Sequence, residues 1–340
     1  MRVGILTGGG DCPGLNPVIR AAVRTGIQEG YEIIGIQYGW KGLVDNNVKT
    51  LDLNDISGIL HRGGTILGTS RTNPYKDKGA LEKLAANWKA IGLDALIAIG
   101  GEDTLGVATK LSKDGYKVVG VPKTIDNDLS GTDFTFGFDT AVNIAMDAID
   151  RLHTTAESHQ RIMVVEVMGR HAGWIALHSG IAGGADLILI PEVPIKMSEV
   201  VDAIRKRSDR GKNFSIIVVA EGAKFDGSEV TLEKRLDEFG HVRLGGIGEL
   251  LARKIEEKTG FETRVAVLGH IQRGGSATAF DRMLGTRFGA KAIELVKKGQ
   301  FGQMVALKGN EIVPIPIETA TGKLKTVDTA FYQMAKAFFG

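Results

Sequence analysis

A chain of 340 residues with 43% hydrophobic and 24% charged residues has the composition of a globular protein, either one large α/β unit or two domains. Its net charge of +2 and its short charge blocks exclude a nucleic-acid-binding tail, and no apolar stretch reaches membrane-spanning length, so we expect neither a nucleic-acid nor a membrane partner. The single cysteine, Cys12, excludes an intrachain disulfide framework and is typical of a reducing, cytoplasmic compartment.

Short apolar strands alternate with amphipathic helices along the chain. In chain order the predicted elements are strand 3–7, helix 16–29, strand 32–37, helix 80–90, strands 95–99 and 117–121, helix 140–154, strands 163–167 and 187–190, helix 197–208, strand 215–220, helix 245–258, strand 263–268, helix 279–298 and strand 304–308. Most strands are apolar throughout, which is typical of parallel strands buried on both faces. The pattern predicts an α/β fold of two lobes with mainly parallel sheets in three layers.

Glycine-rich or charged residues follow six of these strands. The six stretches are "GGGDCPGLN" after the first strand, "GGEDT" after strand 95–99, "PKTIDND" after 117–121, "MGRHAG" after 163–167, "EGAKF" after 215–220 and "GHIQRGG" after 263–268. Ligands of open α/β sheets bind beyond the carboxyl ends of the strands. The sequence therefore predicts one large polar cleft.

The glycine-rich loop 8–16 matches neither common phosphate-binding fingerprint. The dinucleotide fingerprint requires a third glycine where this chain has Pro13, and the P-loop requires Lys and Ser or Thr where Leu15 and Asn16 stand. Taken alone, the loop is explained equally well as a tight turn without a ligand. Because "GGEDT" supplies a second glycine turn, we favour a shared phosphate cradle.

The stretch "PKTIDND" concentrates polar residues directly after an apolar strand. A helix-capping turn is the alternative explanation. The following residues, "LSGTDFTFGFD", lack a helical pattern, so capping does not account for both Asp126 and Asp128. A carboxylate at a strand end can act as a general base for a hydroxyl group within hydrogen-bonding reach.

Four arginines next to strand ends indicate phosphate contacts, because guanidinium groups bind phosphate in a bidentate manner. They are Arg161, Arg170, Arg264 and Arg273. A single arginine of this kind is more typical of a solvated surface, but their position within the motifs favours substrate binding. For His270 the sequence alone slightly favours a core histidine over a ligand contact.

"GGGDCPGLN", "GGEDT", "PKTIDND", "SHQRIMVVEVMGRHAGW" and "GHIQRGG", in this order and spacing, resemble the 6-phosphofructokinase family from residue 3 to about residue 298. The resemblance implies a phosphofructokinase-like fold with the active site between two lobes. Residues 1–138 plus about 272–340 would form the larger, phosphoryl-donor lobe, and residues 139–271 the smaller, fructose 6-phosphate lobe. It also implies phosphoryl transfer to the 1-hydroxyl of fructose 6-phosphate, with Mg²⁺.

The resemblance assigns roles by motif position. Asp126 is the expected base, Thr124 and Asp128 hold the sugar and the transferring group, and Arg170 stabilises charge on that group. Expected sugar contacts are Arg161, Met168, Gly169, Arg170, Glu221, Arg264, His270 and Arg273. Expected donor contacts are Gly9, Arg71, Asp103, Thr104 and Lys123, with Glu102 placing Mg²⁺. Arg161 and Arg264 match arginines that reach the 6-phosphate from a neighbouring subunit, which implies a homodimer or homotetramer.

Two residues bear on the identity of the donor. Family members that use ATP resemble "GGDGS" and "PGTIDND", with glycine where this chain has Asp103 and Lys123. Two negative charges about 4 Å apart repel by roughly 4 kcal/mol at an effective dielectric constant near 20, so Asp103 disfavours a nucleotide. The pair resembles the pyrophosphate-dependent branch, and Asp103 decides this, because some ATP-using relatives also carry the lysine.

Two alternatives remain at this point. An ATP-dependent 6-phosphofructokinase could tolerate Asp103. A non-catalytic sugar-phosphate-binding or nucleotide-binding protein could share the fold, although the set of Asp126, Thr124 and Arg170 argues against it, because binding alone requires no base.

Overall fold

A computed structural model describes residues 1–226 and 246–339 and divides the chain into two compact units. Unit 1 consists of Met1–Thr140 and Arg273–Leu324, and unit 2 of Ala141–Gln272 and Lys325–Gly340. The assignment of the C-terminal residues to the larger lobe is wrong. Tyr332 is buried in unit 2, where its hydroxyl donates to the carbonyl oxygen of Ile188 at 2.8 Å. Within the described residues, no helix is both long enough and apolar enough to cross a bilayer.

The observed elements follow the predicted alternation. The strands are β1 (Arg2–Thr7), β2 (Glu32–Ile36), β3 (Val48–Leu51), β4 (Ala95–Gly100), β5 (Val118–Pro122), β6 (Ile162–Val167), β7 (Leu187–Leu189), β8 (Ser215–Ala220), β9 (Thr263–Val267), β10 (Gln303–Lys308) and β11 (Glu311–Pro316). The helices are α1 (Leu15–Gln28), α2 (Trp40–Val44), α3 (Ala80–Ile91), α4 (Glu102–Lys113), α5 (Phe138–His159), α6 (Trp174–Ala182), α7 (Met197–Asp209), α8 (Ile247–Thr259), α9 (Ala279–Lys297), α10 (Thr319–Gly322) and α11 (Thr329–Ala335). The predicted start of α8, residue 245, lies outside the described residues.

Unit 1 contains a seven-stranded sheet in the order β11-β10-β5-β4-β1-β2-β3, antiparallel at its two edge strands and parallel elsewhere. On one face, a core that includes Leu6 and Leu96 packs against α3 and α4. On the other face, Ile33 approaches α1 and α9. The predicted α/β fold with mainly parallel sheets in layers is confirmed. Because β1, β4 and β5 are parallel neighbours, the loops after them meet at one edge of the sheet.

Unit 2 contains a parallel sheet in the order β7-β8-β6-β9. The inner strands β6 and β8 are buried along their whole length, and their apolar side chains pack with those of α7 and α8. Glu166, near the end of β6, accepts a hydrogen bond from the amide of Gly248 at 2.8 Å. Burial raises the pKa of this carboxyl. Glu166 thus accepts from the N-terminus of α8, whose N-cap residue, Gly246, has no side chain that could do so.

A buried carboxylate joins the N-termini of α5 and α9. Oδ2 of Asp281 accepts hydrogen bonds from the amide and the hydroxyl of Thr140, at 2.8 and 2.6 Å. Reciprocally, the hydroxyl of Thr278, the N-cap of α9, donates to Oδ2 of Asp139 at 2.6 Å. Burial raises the pKa of Asp281 from 3.8 to about 6, despite the hydrogen bonds from Thr140 that lower it.

The raised pKa of Asp281 predicts a specific dependence of stability on pH. The native state holds the proton of the Asp281 carboxyl more tightly than the unfolded chain does. The contribution of this proton to the free energy of unfolding is therefore fully present below pH 3.8 and is lost as the pH rises through about 6. The Asp281→Asn variant lacks this titration. We therefore expect the stability of the wild type relative to this variant to fall with rising pH, by at most about 1.4 kcal/mol per pH unit.

Urea unfolding at fixed pH values between 4 and 7 measures this difference. The control is Asp147→Asn, which changes an exposed carboxylate on α5. Its stability difference from the wild type should stay constant over the same range. Parallel curves for the wild type and Asp281→Asn would contradict the prediction.

Candidate active site

The loops after β1, β4 and β5 line a cavity of about 160 Å³ in unit 1, called here the unit 1 cavity. Its lining residues are Gly9, Gly10, Asp11, Gly101, Glu102, Asp103, Thr104, Lys123, Thr124, Ile125, Asp126 and Arg273. Most of the residues predicted for donor binding are thus brought together with the expected base. The volume is below the roughly 300–1,000 Å³ of sites that enclose drug-sized ligands, and it is sufficient for phosphate groups.

The first loop places its backbone close to charged side chains. Gly9 has a left-handed φ of 82°, and its carbonyl oxygen accepts a hydrogen bond from the Thr69 hydroxyl at 2.6 Å. A β-carbon on Gly10 would lie 2.6 Å from Nη1 of Arg273. These glycines therefore do more than form a tight turn, because they let the guanidinium approach the chain.

Lys123 ties two of the loops together. Its side chain is buried, and Nζ donates to the carbonyl oxygen of Gly10 at 2.6 Å. Burial is the main cause that lowers the pKa of Lys123, and Arg273 lowers it further, whereas Asp11 and Asp126 raise it. A desolvated cation of this kind is stabilised by an anionic ligand.

The second loop leads into α4, whose first turn carries Glu102 and Asp103. Both side chains are exposed, while the next residue, Thr104, is buried. Carboxylates in the first turn of a helix interact favourably with the helix dipole, which is a purely structural reason for their presence. Both also line the unit 1 cavity, so they add negative charge beside any ligand there.

The third loop is held in place by Thr135. The Thr135 hydroxyl donates to the carbonyl oxygen of Thr124 at 2.7 Å, and the Thr135 amide donates to Oδ1 of Asn127 at 3.2 Å. The Thr124 hydroxyl in turn accepts from the amide of Asp126 at 3.1 Å. The carboxylate of Asp126 is thereby placed on a fixed backbone. Two predicted residues, Asp128 and the exposed Arg71, do not line the cavity.

Arg273, an expected sugar contact within the expected larger lobe, lies in unit 1 and lines this cavity. Sequence reasoning did not single out Asp11, although an acid inside a glycine loop after a strand was a usable signal. Nε of Arg273 and Oδ1 of Asp11 are buried and have no hydrogen-bond partner among the residues that the structure describes. Buried polar atoms of this kind point to a ligand.

The charges around the unit 1 cavity bear on Mg²⁺. Four carboxylates stand against two cations, namely Asp11, Glu102, Asp103 and Asp126 against Lys123 and Arg273. In the two described ranges, no group of three or more His, Cys, Asp or Glu side chains is arranged to hold a metal ion. Mg²⁺ is usually bound by one or two carboxylates together with phosphate oxygens of a substrate. The donor set fits a cation that arrives with a phosphate ligand.

In unit 2, a second set of loops follows the neighbouring strands β8, β6 and β9. They carry Met168, Gly169, Arg170, Glu221 and His270. The buried Gln272, which sequence reasoning missed, connects two of these loops. It accepts from the amide of Met168 at 3.4 Å and donates to the carbonyl oxygen of Gly269 at 3.1 Å. His270 is exposed, so its interpretation as a core histidine is wrong.

Arg161 and Arg264 lie at the opposite end of this sheet, where β6 and β9 begin. Six residues of β6 separate Arg161 from Met168, a distance of roughly 20 Å at the rise of a strand. Arg161 donates from Nε to Glu262 at 2.8 Å, and Arg264 pairs with the same carboxylate. The hydrogen bond from Arg161 holds the pKa of Glu262 below its usual range. The structure therefore does not bring these two arginines to the loops of their own chain.

Comparison with known proteins places these features in a family. Residues 2–296 match the family model described as Phosphofructokinase. Over 343 residues the chain is 59% identical to the pyrophosphate–fructose 6-phosphate 1-phosphotransferase of Streptomyces coelicolor, with 100% of both chains covered. It is 53% identical, also over 343 residues, to the ATP-dependent 6-phosphofructokinase of Corynebacterium efficiens, covering 100% of this chain and 99% of that one.

A solved structure agrees with the sequence relatives. The crystal structure of Pichia pastoris phosphofructokinase in the T-state superimposes with a TM-score of 0.84 at 31% identity. The match covers 99% of this chain and 36% of the Pichia chain. The resemblance inferred from the motifs is confirmed. With the family match over most of its length and full-length relatives above half identity, this chain belongs to the phosphofructokinase family.

Proposed function

We propose that this chain catalyses the transfer of a phosphoryl group from pyrophosphate to the 1-hydroxyl of fructose 6-phosphate, giving fructose 1,6-bisphosphate and phosphate. The observation that carries the proposal is the unit 1 cavity. It is compact, it sets Lys123 and Arg273 beside Asp126, and it has Asp103 in its lining. The cavity has room for phosphate groups, and Asp103 adds negative charge that opposes the further phosphate of a nucleotide. The name of the Streptomyces coelicolor relative supports the same donor.

The reaction assigns a proton acceptor and a charge-stabilising group. Asp126 takes the proton of the sugar 1-hydroxyl while the hydroxyl oxygen bonds to one phosphorus atom of pyrophosphate. The bond from that phosphorus to the bridging oxygen breaks, which releases phosphate. Thr124 and Asp128 hold the sugar and the moving group, and Arg170 stabilises its negative charge. Phosphoryl transfer depends mainly on such positioning and charge stabilisation.

Mg²⁺ is the proposed cofactor, because the cavity carries more carboxylates than cations. Glu102 is the residue that would hold it, and Asp11 offers a second carboxylate in the same lining. When bound, the ion neutralises phosphate charge, which lowers the barrier to attack by an oxygen nucleophile.

The donor preference rests on Asp103. Because this side chain is exposed, solvent weakens its repulsion of a further phosphate from about 4 kcal/mol toward about 1 kcal/mol at 4 Å. Discrimination against ATP is then between about 5-fold and 1,000-fold. With pyrophosphate as donor, the reaction is reversible, because the two phosphate bonds differ little in transfer potential. ATP-dependent transfer is the alternative, supported by the name of the Corynebacterium efficiens relative.

Assembly into a homodimer or homotetramer belongs to the same proposal. Arg161 and Arg264 sit at the end of their sheet opposite to the loop that carries Arg170, so they suit the 6-phosphate of a neighbouring copy. A reducing, cytoplasmic compartment fits the buried free thiol of Cys12.

The first prediction concerns the base. Asp126→Asn should lower kcat by about 10²- to 10⁴-fold, because the amide cannot accept the proton. The KM for fructose 6-phosphate should stay within a few-fold of wild type. Steady-state rates with pyrophosphate and Mg²⁺ measure both quantities. The control, Asp77→Asn, changes an exposed aspartate outside the cavity and should leave kcat unchanged. A kcat for Asp126→Asn within a few-fold of wild type would remove Asp126 from this role.

The second prediction concerns sites shared between subunits. Arg264→Ser and Asp126→Asn, each nearly inactive alone, should regain activity when mixed after subunit exchange, because one hybrid site then has both intact residues. A mixture of Asp126→Asn with Arg170→Ala is the control and should stay inactive, because the proposal assigns both residues to the same chain's site. If exchange is demonstrated and no activity returns, Arg264 does not act across an interface.

The third prediction concerns the donor. The ratio of kcat/KM for pyrophosphate to that for ATP should fall by about 5-fold to 1,000-fold in Asp103→Asn, which removes charge at constant size. Asp103→Gly should lower the ratio further because it also removes volume. Effects on the stability of α4 cancel in this ratio.

Glu82→Gln is the matched control, since Glu82 is an acid in the first turn of α3, another helix of unit 1. Its donor ratio should equal that of the wild type. A wild-type protein that turns over ATP faster than pyrophosphate at equal low concentration would refute the donor and leave the sugar half of the proposal intact.

A further inference from the structure

The loop that carries Arg170, residues 168–174, is fixed at both of its ends within unit 2. At its start, the carbonyl oxygen of Gly169 accepts from the amide of Gly222 at 3.2 Å. At its end, the amide of Gly173 donates to both carboxylate oxygens of Glu192, at 3.0 and 3.1 Å. Neither Gly222 nor Glu192 is needed for the chemistry proposed above. Together they leave the backbone of Arg170 little freedom.

Glu192 also binds the C-terminal segment, residues 325–339. Its Oε1 accepts from the amide of Val327 at 2.8 Å, so one carboxylate holds the Arg170 loop and the C-terminal segment together. A second hydrogen bond joins the same two segments: Nε1 of Trp174 donates to the carbonyl oxygen of Lys325 at 2.8 Å. The two segments are therefore joined at consecutive residues of the loop, 173 and 174.

The C-terminal segment is itself firmly seated. Val327 and Tyr332 are each 4% exposed, and the Tyr332 hydroxyl donates to Ile188 in β7. The ring of Phe331 meets that of His178 in α6 edge-on, at 5.7 Å between centroids. The C-terminal segment that hydrogen-bonds to Glu192 is thus a buried part of the unit 2 core and not a fraying terminus.

The ordinary explanation for Glu192 is stabilisation of α6, whose N-cap is Gly173. A carboxylate at that position suits the helix dipole. This explanation does not require the bond to Val327, nor the close fit at Gly173, where a β-carbon would lie 2.4 Å from Ile190 and 3.0 Å from Oε2 of Glu192. The contacts of Glu192 with Gly173 and Val327 instead fix the position of the Arg170 loop relative to the C-terminal segment.

We propose that Glu192, braced by the C-terminal segment, is a positioning residue that holds Arg170 where the transferred phosphoryl group passes. The inference rests on the proposed function, because Arg170 acts on that group. The proposal gives Glu192 no contact with either substrate. Since Arg170 stabilises charge that develops during transfer, a displaced loop lowers kcat more than it raises the KM for fructose 6-phosphate.

A double-mutant cycle on the full-length protein tests this. Glu192→Gln, which preserves size but turns one oxygen into a donor facing an amide, should lower kcat about 10-fold. The KM for fructose 6-phosphate should rise by a smaller factor than kcat falls, because Met168 and Gly169, at the other end of the loop, are held by Gln272 and Gly222. In the Arg170→Ala background, the same change should lower kcat by less than about two-fold, because the group being positioned is gone. Glu199→Gln, an exposed glutamate on α7, is the control and should leave kcat unchanged.

Trp174→Phe gives a second, milder route if Glu192→Gln does not fold. It removes the indole N–H that reaches Lys325 and retains an aromatic ring beside His178. Its kcat should fall about three-fold, again only when Arg170 is present.

The outcomes separate the inference from the function. An equal loss of kcat with and without Arg170 would show that Glu192 acts through general stability, and an unchanged kcat would show that it does not position the loop. Either result overturns the inference while the function stands. A wild-type protein inactive on fructose 6-phosphate with both pyrophosphate and ATP would overturn the function and the inference with it.

Discussion

The arrangement of the unit 1 cavity depends on one cation that has been removed from water. Lys123 is 4% exposed, and the hydrogen bond from its ammonium to Gly10 ties the loop after β5 to the loop after β1, across the intervening strand β4. Removal of a charge from water costs several kcal/mol unless opposite charge and hydrogen bonds replace the solvent. Asp11 and Asp126 provide part of this opposite charge, and a bound phosphate would provide more. The fixed geometry of the cavity and its suitability for an anion therefore have the same physical origin.

The sequence was sufficient for the parts of the fold that are buried on two faces. Strands β1, β4, β5, β6 and β8 read as unbroken apolar runs, and parallel strands of this kind collect their following loops at one edge. That reasoning brings Asp126, Lys123 and the acids of α4 to one polar cleft, and in the structure they line one cavity. Sequence reasoning did not predict the edge strands β3 and β11, and the reason is physical. Antiparallel edges need little burial, and β11 alternates in exposure and carries Pro314, which is tolerated where no ladder partner is required.

Where tertiary contacts override local pattern, sequence reasoning failed. The C-terminal residues were assigned to the wrong unit because the burial of Tyr332 against Ile188 is a long-range contact. Glu192 was likewise invisible, since its two partners, at 173 and 327, lie far apart in sequence.

At the other end of the unit 2 sheet, the carboxylate of Glu262 is shared by two arginines, Arg161 and Arg264, and keeps both available for a ligand. Arg161 and Arg264 both pair with Glu262, which prevents their guanidinium groups from repelling each other across adjacent strands. Glu262 and Arg264 are each more than 40% exposed at the side chain, and ion pairs in such surroundings contribute only about 0–1 kcal/mol. Exchange of Glu262 for a phosphate therefore costs little, while a phosphate held by two guanidinium groups gains charge-assisted hydrogen bonds. A weak internal pair thus leaves both arginines available for a phosphate, as the proposed contact with the 6-phosphate of a neighbouring copy requires.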